Sequence, residues 1–154
     1  MRFAAAIFFL LMLPSLLAAA PQADTSAVDD YSGMYSFLRE GEFIQITIGD
    51  KSMVSGFISR FGDSESDRGV FLNQFIKSGK IEGNKLTFTT EVVHGNSFSF
   101  DGVVERGNGK KSDEEAYYVL RGNLTRISTD AEKRATSQVT QVEFKSFPRD
   151  AGPN

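Results

Sequence analysis

Phe43-Ile44-Gln45-Ile46-Thr47-Ile48 places isoleucine at every even position and Phe, Gln and Thr at the odd ones. Residues two apart share one face of a strand, so this run reads as a strand with one buried and one wet face. The same period recurs outward from it. Upstream, Met34–Arg39 supplies a first strand. Downstream, Val54, Gly56 and Ile58 oppose Ser55 and Ser59, and Leu86, Phe88 and Val92 oppose Lys85, Thr87, Thr89 and Glu91. Phe98, Phe100 and Val104 then oppose Ser97, Ser99, Asp101 and Glu105. Tyr118, Leu120 and Leu124 oppose Arg121, Asn123 and Thr125, and Val142 and Phe144 oppose Gln141, Glu143 and Lys145. Half-polar strands of this kind belong to antiparallel sheets.

The breaks carry turn chemistry. Glu40-Gly41, Gly49-Asp50, Gly83-Asn84 and Gly95-Asn96 supply the positive backbone angles of tight hairpins. Short turns join sequential neighbours, so an up-and-down order follows. Gly107–Asp113 and Ser128–Ser137 read as longer polar loops, and Asp130–Arg134 could form one helical turn behind an Asp cap. Gly69–Ile81 is ambiguous. Phe71, Leu72, Phe75 and Ile76 would share a helix face, but a strand from about Gln74, bent at Gly79 and preceded by an irregular or helical turn, is preferred.

About eight strands result, in one all-β, up-and-down antiparallel β-barrel over residues 31–147, with a β-sandwich as the alternative. Gly56, Gly102 and Gly122 sit mid-strand on the apolar parity, where glycine marks the sharp bends that barrels need. Closure would also remove open strand edges.

Residues 1–20 combine a basic start at Arg2, an apolar run from Phe3 to Leu17 and the small exit Ala18-Ala19-Ala20, the pattern of a secretory signal peptide. Cleavage is expected between Ala19 and Ala23, leaving no membrane span, because the apolar run is short for a bilayer. Residues 21–30 read as a flexible leader and 148–154 as a flexible tail. A secreted or periplasmic location follows. Without Arg2 the chain carries 16 basic against 20 acidic residues, a net charge of −4 with mixed signs; no phosphate-binding basic face is visible in the sequence, and no nucleic-acid partner is expected. With no cysteine, the exported domain must rely on its core, and about 130 residues suffice for one. Absence of disulfides fits a bacterial envelope.

Gly33-Met34-Tyr35 opening a meander of about eight strands resembles the lipocalin and calycin barrels, whose first strand carries Gly-x-Trp. Tyr35 replaces that Trp, the chain has no Trp, and the later Thr-Asp-Tyr signature is missing. The resemblance implies a barrel with an internal ligand cavity. Gly56–Asp63 also resembles part of a secreted bacterial family, from which no activity follows.

Chemistry-bearing candidates are few. His94, the single histidine, precedes Gly95-Asn96 in an expected turn; as a general base it would need Glu91 or Asp101 and a nucleophile, so no catalytic residue is assigned and the chain is read as non-enzymatic. Asp63, Glu65 and Asp67 alternate before Gly69 as calcium ligands do, but the glycine falls one residue late and no distal acid follows. Asn123-Leu124-Thr125 is a sequon inside a strand and reads as chance. No cofactor motif is present, and none is expected.

The aromatics carry the functional reading. Eleven of the 14 Phe lie beyond residue 20. The first reading is a non-catalytic barrel holding a small apolar ligand in a cavity lined by Tyr35, Gly56, Phe88, Phe98, Phe100, Gly102, Tyr118 and Gly122. The alternative is an envelope interaction or structural module with a solid barrel core, in which Phe43, Phe57, Phe61 and Tyr117, on the outer parity, touch a protein partner or a second copy. The sequence leaves the oligomeric state open.

Overall fold

A computed structural model describes residues 30–149. Residues 1–29, which hold the expected signal peptide and most of the expected leader, and residues 150–154 of the expected tail lie outside the described residues. Eight antiparallel strands follow one another in chain order: β1 (Gly33–Ser36), β2 (Phe43–Ile48), β3 (Val54–Phe61), β4 (Phe71–Glu82), β5 (Lys85–Thr90), β6 (Asn96–Arg106), β7 (Tyr118–Thr129) and β8 (Ala135–Lys145). Each pairs with the next, so the sheet is continuous and the sandwich alternative is excluded. It curls until the first strand meets the end of the last. Tyr35 bridges Ser146, the Phe147 amide donates to the Met34 carbonyl at 2.9 Å, and the Lys145 amide donates to Ser36 Oγ at 2.9 Å. Because β1 is short, among the described residues β8 upstream of this seam pairs only with β7, and residues 135–141 are exposed.

The even positions of β2, β3, β5, β6 and β7 point inward, as the alternation requires. Ile44, Ile46, Ile58, Leu86, Phe98, Phe100, Leu120, Leu124 and Phe144 are all buried, with Tyr35 and Phe37 from the first strand and its turn. Phe88 stacks on Phe100 at 5.4 Å between centroids, and Phe37 bridges Phe98 and Phe144. One end of the barrel is stoppered by aromatic rings: Tyr31 and Tyr117 meet Tyr118 edge-on at 4.9 and 4.7 Å, and Arg106 lies over the Tyr117 ring. The opposite end is polar.

Several local expectations need correction. β4 begins at Phe71, not Gln74, and residues 69–73 form no helix; the only regular turn of that connection is a short 3-10 segment, Glu65–Asp67. Pairing with β3 wins over the helical spacing, since Phe71 and Phe75 lie opposite Phe61 and Phe57. The irregularity of β4 falls between Ile76 and Ser78, ahead of Gly79. β7 and β8 run on to Thr129 and from Ala135, through a stretch read as loop, because main-chain pairing continues where the side chains are polar. Asp130–Arg134 is a turn without a helix, closed by the Arg134 amide donating to Asp130 Oδ1 at 2.8 Å. In the β2–β3 connection the left-handed residues are Lys51 and Ser52 (φ 55° and 61°), while Gly49 is extended.

Candidate functional site

At the polar end the inward alternation continues, but polar side chains replace apolar ones. Glu42 precedes Ile44, Arg60 follows Ile58, Gln74 lies opposite Ile58, Asn96 precedes Phe98, and Arg126 follows Leu124. All five therefore project toward the barrel axis at its mouth. They line or border a recess of about 220 Å³ formed by Leu38, Arg39, Glu42, Arg60, Asp63, Phe98 and Arg126.

The network is dense. Asp63, in the β3–β4 connection, receives Arg60 Nη1 at 2.8 Å and Arg126 Nη2 at 2.8 Å on Oδ2, with Arg39 Nη2 3.5 Å from Oδ1. Glu42 is 2% exposed and fully engaged: its carboxylate accepts from Arg39 Nε at 2.8 Å and from the Arg39 and Phe61 amides. That ties the β1–β2 turn to β3. Gln74, wholly buried, accepts from Arg60 Nε at 3.2 Å and donates toward Thr90 Oγ1 and the Glu91 and Asn96 carbonyls. Asn96 Oδ1 accepts from Arg126 Nε and Nη2 and from Ser128 Oγ.

Arg60 is the outlier. Its side chain is 3% exposed, its guanidinium stands over the Phe98 ring at 5.5 Å, and among the described residues Nη2 has no hydrogen-bond partner. Burial lowers its pKa, with Asp63 pushing the other way, yet an arginine so shifted still carries its charge at neutral pH. Three guanidinium groups thus face two carboxylates, leaving one positive charge unmatched within the cluster.

The residues expected to line a cavity lie elsewhere. Tyr35, Phe88, Phe98, Phe100 and Tyr118 are buried against one another in the core cluster, and of these only Phe98 reaches the recess. Burial pushes the Tyr35 phenol up, and its Oη donates to the Tyr31 carbonyl at 2.6 Å at the stoppered end. Around Gly56, Gly102 and Gly122 the space is filled by backbone: a Cβ on Gly56 would lie 1.9 Å from the Gln45 oxygen. These glycines draw strands together.

Asp63, Glu65 and Asp67 do not converge. Asp63 faces the arginines, Glu65 pairs loosely with Arg68 at 3.6 Å, and Asp67 accepts from Ser64 and meets His94 Nδ1 at 2.7 Å. Among the described residues no group of three His, Asp or Glu side chains could hold a metal ion. His94 sits in the β5–β6 turn at φ 48°, exposed, and its hydrogen bond holds the Asp67 carboxyl below the usual carboxylate range.

Outer-parity aromatics form a ladder across β2, β3 and β4. Phe43, Phe57 and Phe75 follow one another at 5.9 Å, and Phe61 meets Phe71 at 4.2 Å. Phe71 and Phe75 are 48% and 55% exposed. Tyr117 is separate, at the stoppered end. Two further recesses, of about 270 and 470 Å³, are grooves on the outer surface, over β4–β6 and beside Gly122. They are larger than the mouth, but neither gathers buried polar groups. Among the described residues no helix is long and apolar enough to cross a membrane.

No family model and no curated protein matches this sequence. Solved structures do match its fold. Rhizavidin aligns at 10% identity with a TM-score of 0.59, covering 80% of this chain and 87% of its own. The rhizavidin–biotin complex aligns at 12% identity and TM-score 0.55, covering 75% and 98%. Intact afifavidin in its apo form aligns at 16% identity and TM-score 0.56, covering 80% and 85%. The calycin resemblance carried by Gly33-Met34-Tyr35 is consistent with these neighbours in architecture. At such identities what is shared is the fold, an eight-stranded antiparallel barrel of the avidin-like kind.

Proposed function

We propose that the chain is a secreted or periplasmic, non-catalytic barrel that takes a small ligand into its polar mouth. One observation carries this reading: one end of the barrel is stoppered by aromatic rings, while the other holds a recess lined by hydrogen-bonded polar side chains, with Glu42 and Arg60 buried and one Arg60 nitrogen unpartnered among the described residues. Concave sites with a few convergent polar groups against aromatic walls are the usual form of ligand pockets. Rhizavidin, a barrel of similar fold, is solved with biotin, which supports a binding role for this architecture and makes biotin a reasonable first probe. Native mass spectrometry of the mature protein, purified gently from an exporting host, tests the reading. An added mass that disappears on denaturation is expected. A bare protein mass, with no binding of small probes at the mouth, overturns it.

A second reading rests on the outer phenylalanine ladder. Exposed aromatics packed in a row across three strands form the kind of apolar patch that marks an interaction surface. In that case Phe75→Ser would shift the assembly state seen by light scattering. A strict monomer before and after the substitution counts against it.

A further inference from the structure

We propose that the ligand of the mouth carries a carboxylate, and that Asp63 occupies its place when the barrel is empty. The inference rests on the ligand-binding reading above. Arg39, Arg60 and Arg126 come from three separate elements, the β1–β2 turn, β3 and β7, yet all point at the one Asp63 carboxylate. Glu42 is spent on the Arg39 guanidinium and two main-chain amides, so among the described residues Asp63 is the carboxylate that hydrogen-bonds the other two arginines.

That balance is incomplete. A guanidinium offers parallel donors that match both oxygens of a carboxylate. Asp63 takes only Nη1 of Arg60, through a single oxygen shared with Arg126, and Nη2 is left buried without a partner among the described residues. A core arginine with an unused donor weakens a fold, and apolar packing would serve stability better. A free carboxylate has no tether to β3 and can align both oxygens with Nη1 and Nη2. Asp63 is 34% exposed and hangs from a connection, so it can turn to solvent as the ligand enters. Exchange of one monoanion for another leaves the charge balance unchanged. The rest of the recess sets the body of the ligand. The Phe98 ring lies against Arg60, Leu38 is half-exposed at the rim, and about 220 Å³ admits a compact aromatic or short aliphatic group. The class is therefore a small monocarboxylate with an apolar body.

NMR titration of the arginine Nε–H signals of the mature protein tests this, with sodium benzoate as probe, benzamide as its neutral counterpart and inorganic phosphate as competitor. Benzoate should shift the Arg60 and Arg126 signals, and benzamide should not. Asp63→Asn removes the built-in competitor and should tighten benzoate on the order of tenfold. Arg60→Met should abolish the shifts of Arg126; if that variant does not fold, Arg126→Gln, at the solvent edge, should weaken binding instead. Equal binding of benzamide and benzoate overturns the carboxylate inference and leaves the ligand-binding reading standing. Equal displacement by phosphate overturns it in favour of a phosphate group. An unchanged affinity in Asp63→Asn removes the placeholder role. No response to benzoate in wild type and Asp63→Asn overturns the carboxylate inference, while the ligand-binding reading stands or falls on the native mass.

Discussion

Gly102 stands directly opposite Gly122 in the β6–β7 ladder, and a Cβ on either would lie 2.3 Å from a carbonyl oxygen of the facing strand, Arg121 for the first and Asp101 for the second. Neither obstacle is a flexible side chain. Gly102→Ala or Gly122→Ala should each cost about 2–3 kcal/mol by forcing the strands apart. Urea unfolding measures this as a lower midpoint with an unchanged slope. A loss below about 0.5 kcal/mol, the range of neutral surface changes, would mean that the ladder relaxes freely. A larger residue at either position tests folding first and ligand uptake only second.

Phe100 is 1% exposed and touches both Phe88 and Phe144, so its ring ties the two halves of the core together. Truncation to alanine leaves a cavity that strands on every side prevent from collapsing. A loss of about 3–5 kcal/mol is expected, measured by thermal or urea unfolding. A loss under 2 kcal/mol would show a more yielding core.

Gln74 is wholly buried and joins β4 to the Thr90–Asn96 turn and to Arg60. Leucine has a similar volume but no donors. Gln74→Leu should destabilise by about 1–3 kcal/mol, since buried carbonyls lose their partners. Hydrogen exchange should rise in the β5–β6 turn first. Unchanged protection there would mean that water replaces the amide.

The Asp67 carboxyl is held low, first by its hydrogen bond to His94 and then by Ser64. A depressed folded-state value means stability that is present above the unfolded-state value, near about 3.9, and lost as pH falls through the folded one. His94→Ala should therefore raise the Asp67 pKa toward the ordinary carboxylate value and flatten the acid limb of the stability profile. Carboxyl carbon NMR reads the shift directly; an unmoved titration would show that Ser64 suffices.

Strand order and most of the core were legible because period-two alternation and Gly-Asn turns are local signals. Tyr35, Ile44, Phe88, Phe98 and Leu120 fall on the expected face. Phe43, Phe57 and Phe61 were recognised as out of place, and the structure sets them on the outer face beside Phe71 and Phe75. The mid-strand glycines fall on the apolar parity as bends and expected cavity lining, but parity cannot tell a gap from a close approach of two backbones. The mouth was missed. Its signal was present: Glu42, Arg60, Gln74, Asn96 and Arg126 each hold an inward parity toward one end of their strands, where alternation alone calls for an apolar residue. Only the register of neighbouring strands shows that these positions lie at the same end. The convergence on Asp63 needs contacts across 63 residues, which no local pattern encodes.

The seam between β1 and β8 has a kinetic consequence. Every other strand pair joins sequence neighbours, so hairpins can form independently and zip together at little loop-closure cost. The bond from Lys145 to Ser36 spans 109 residues and cannot form until the sheet between them exists. Closure is thus the last event in folding and the first to reverse, and the molecule should breathe by unlatching at β1 while β3–β7 stay assembled.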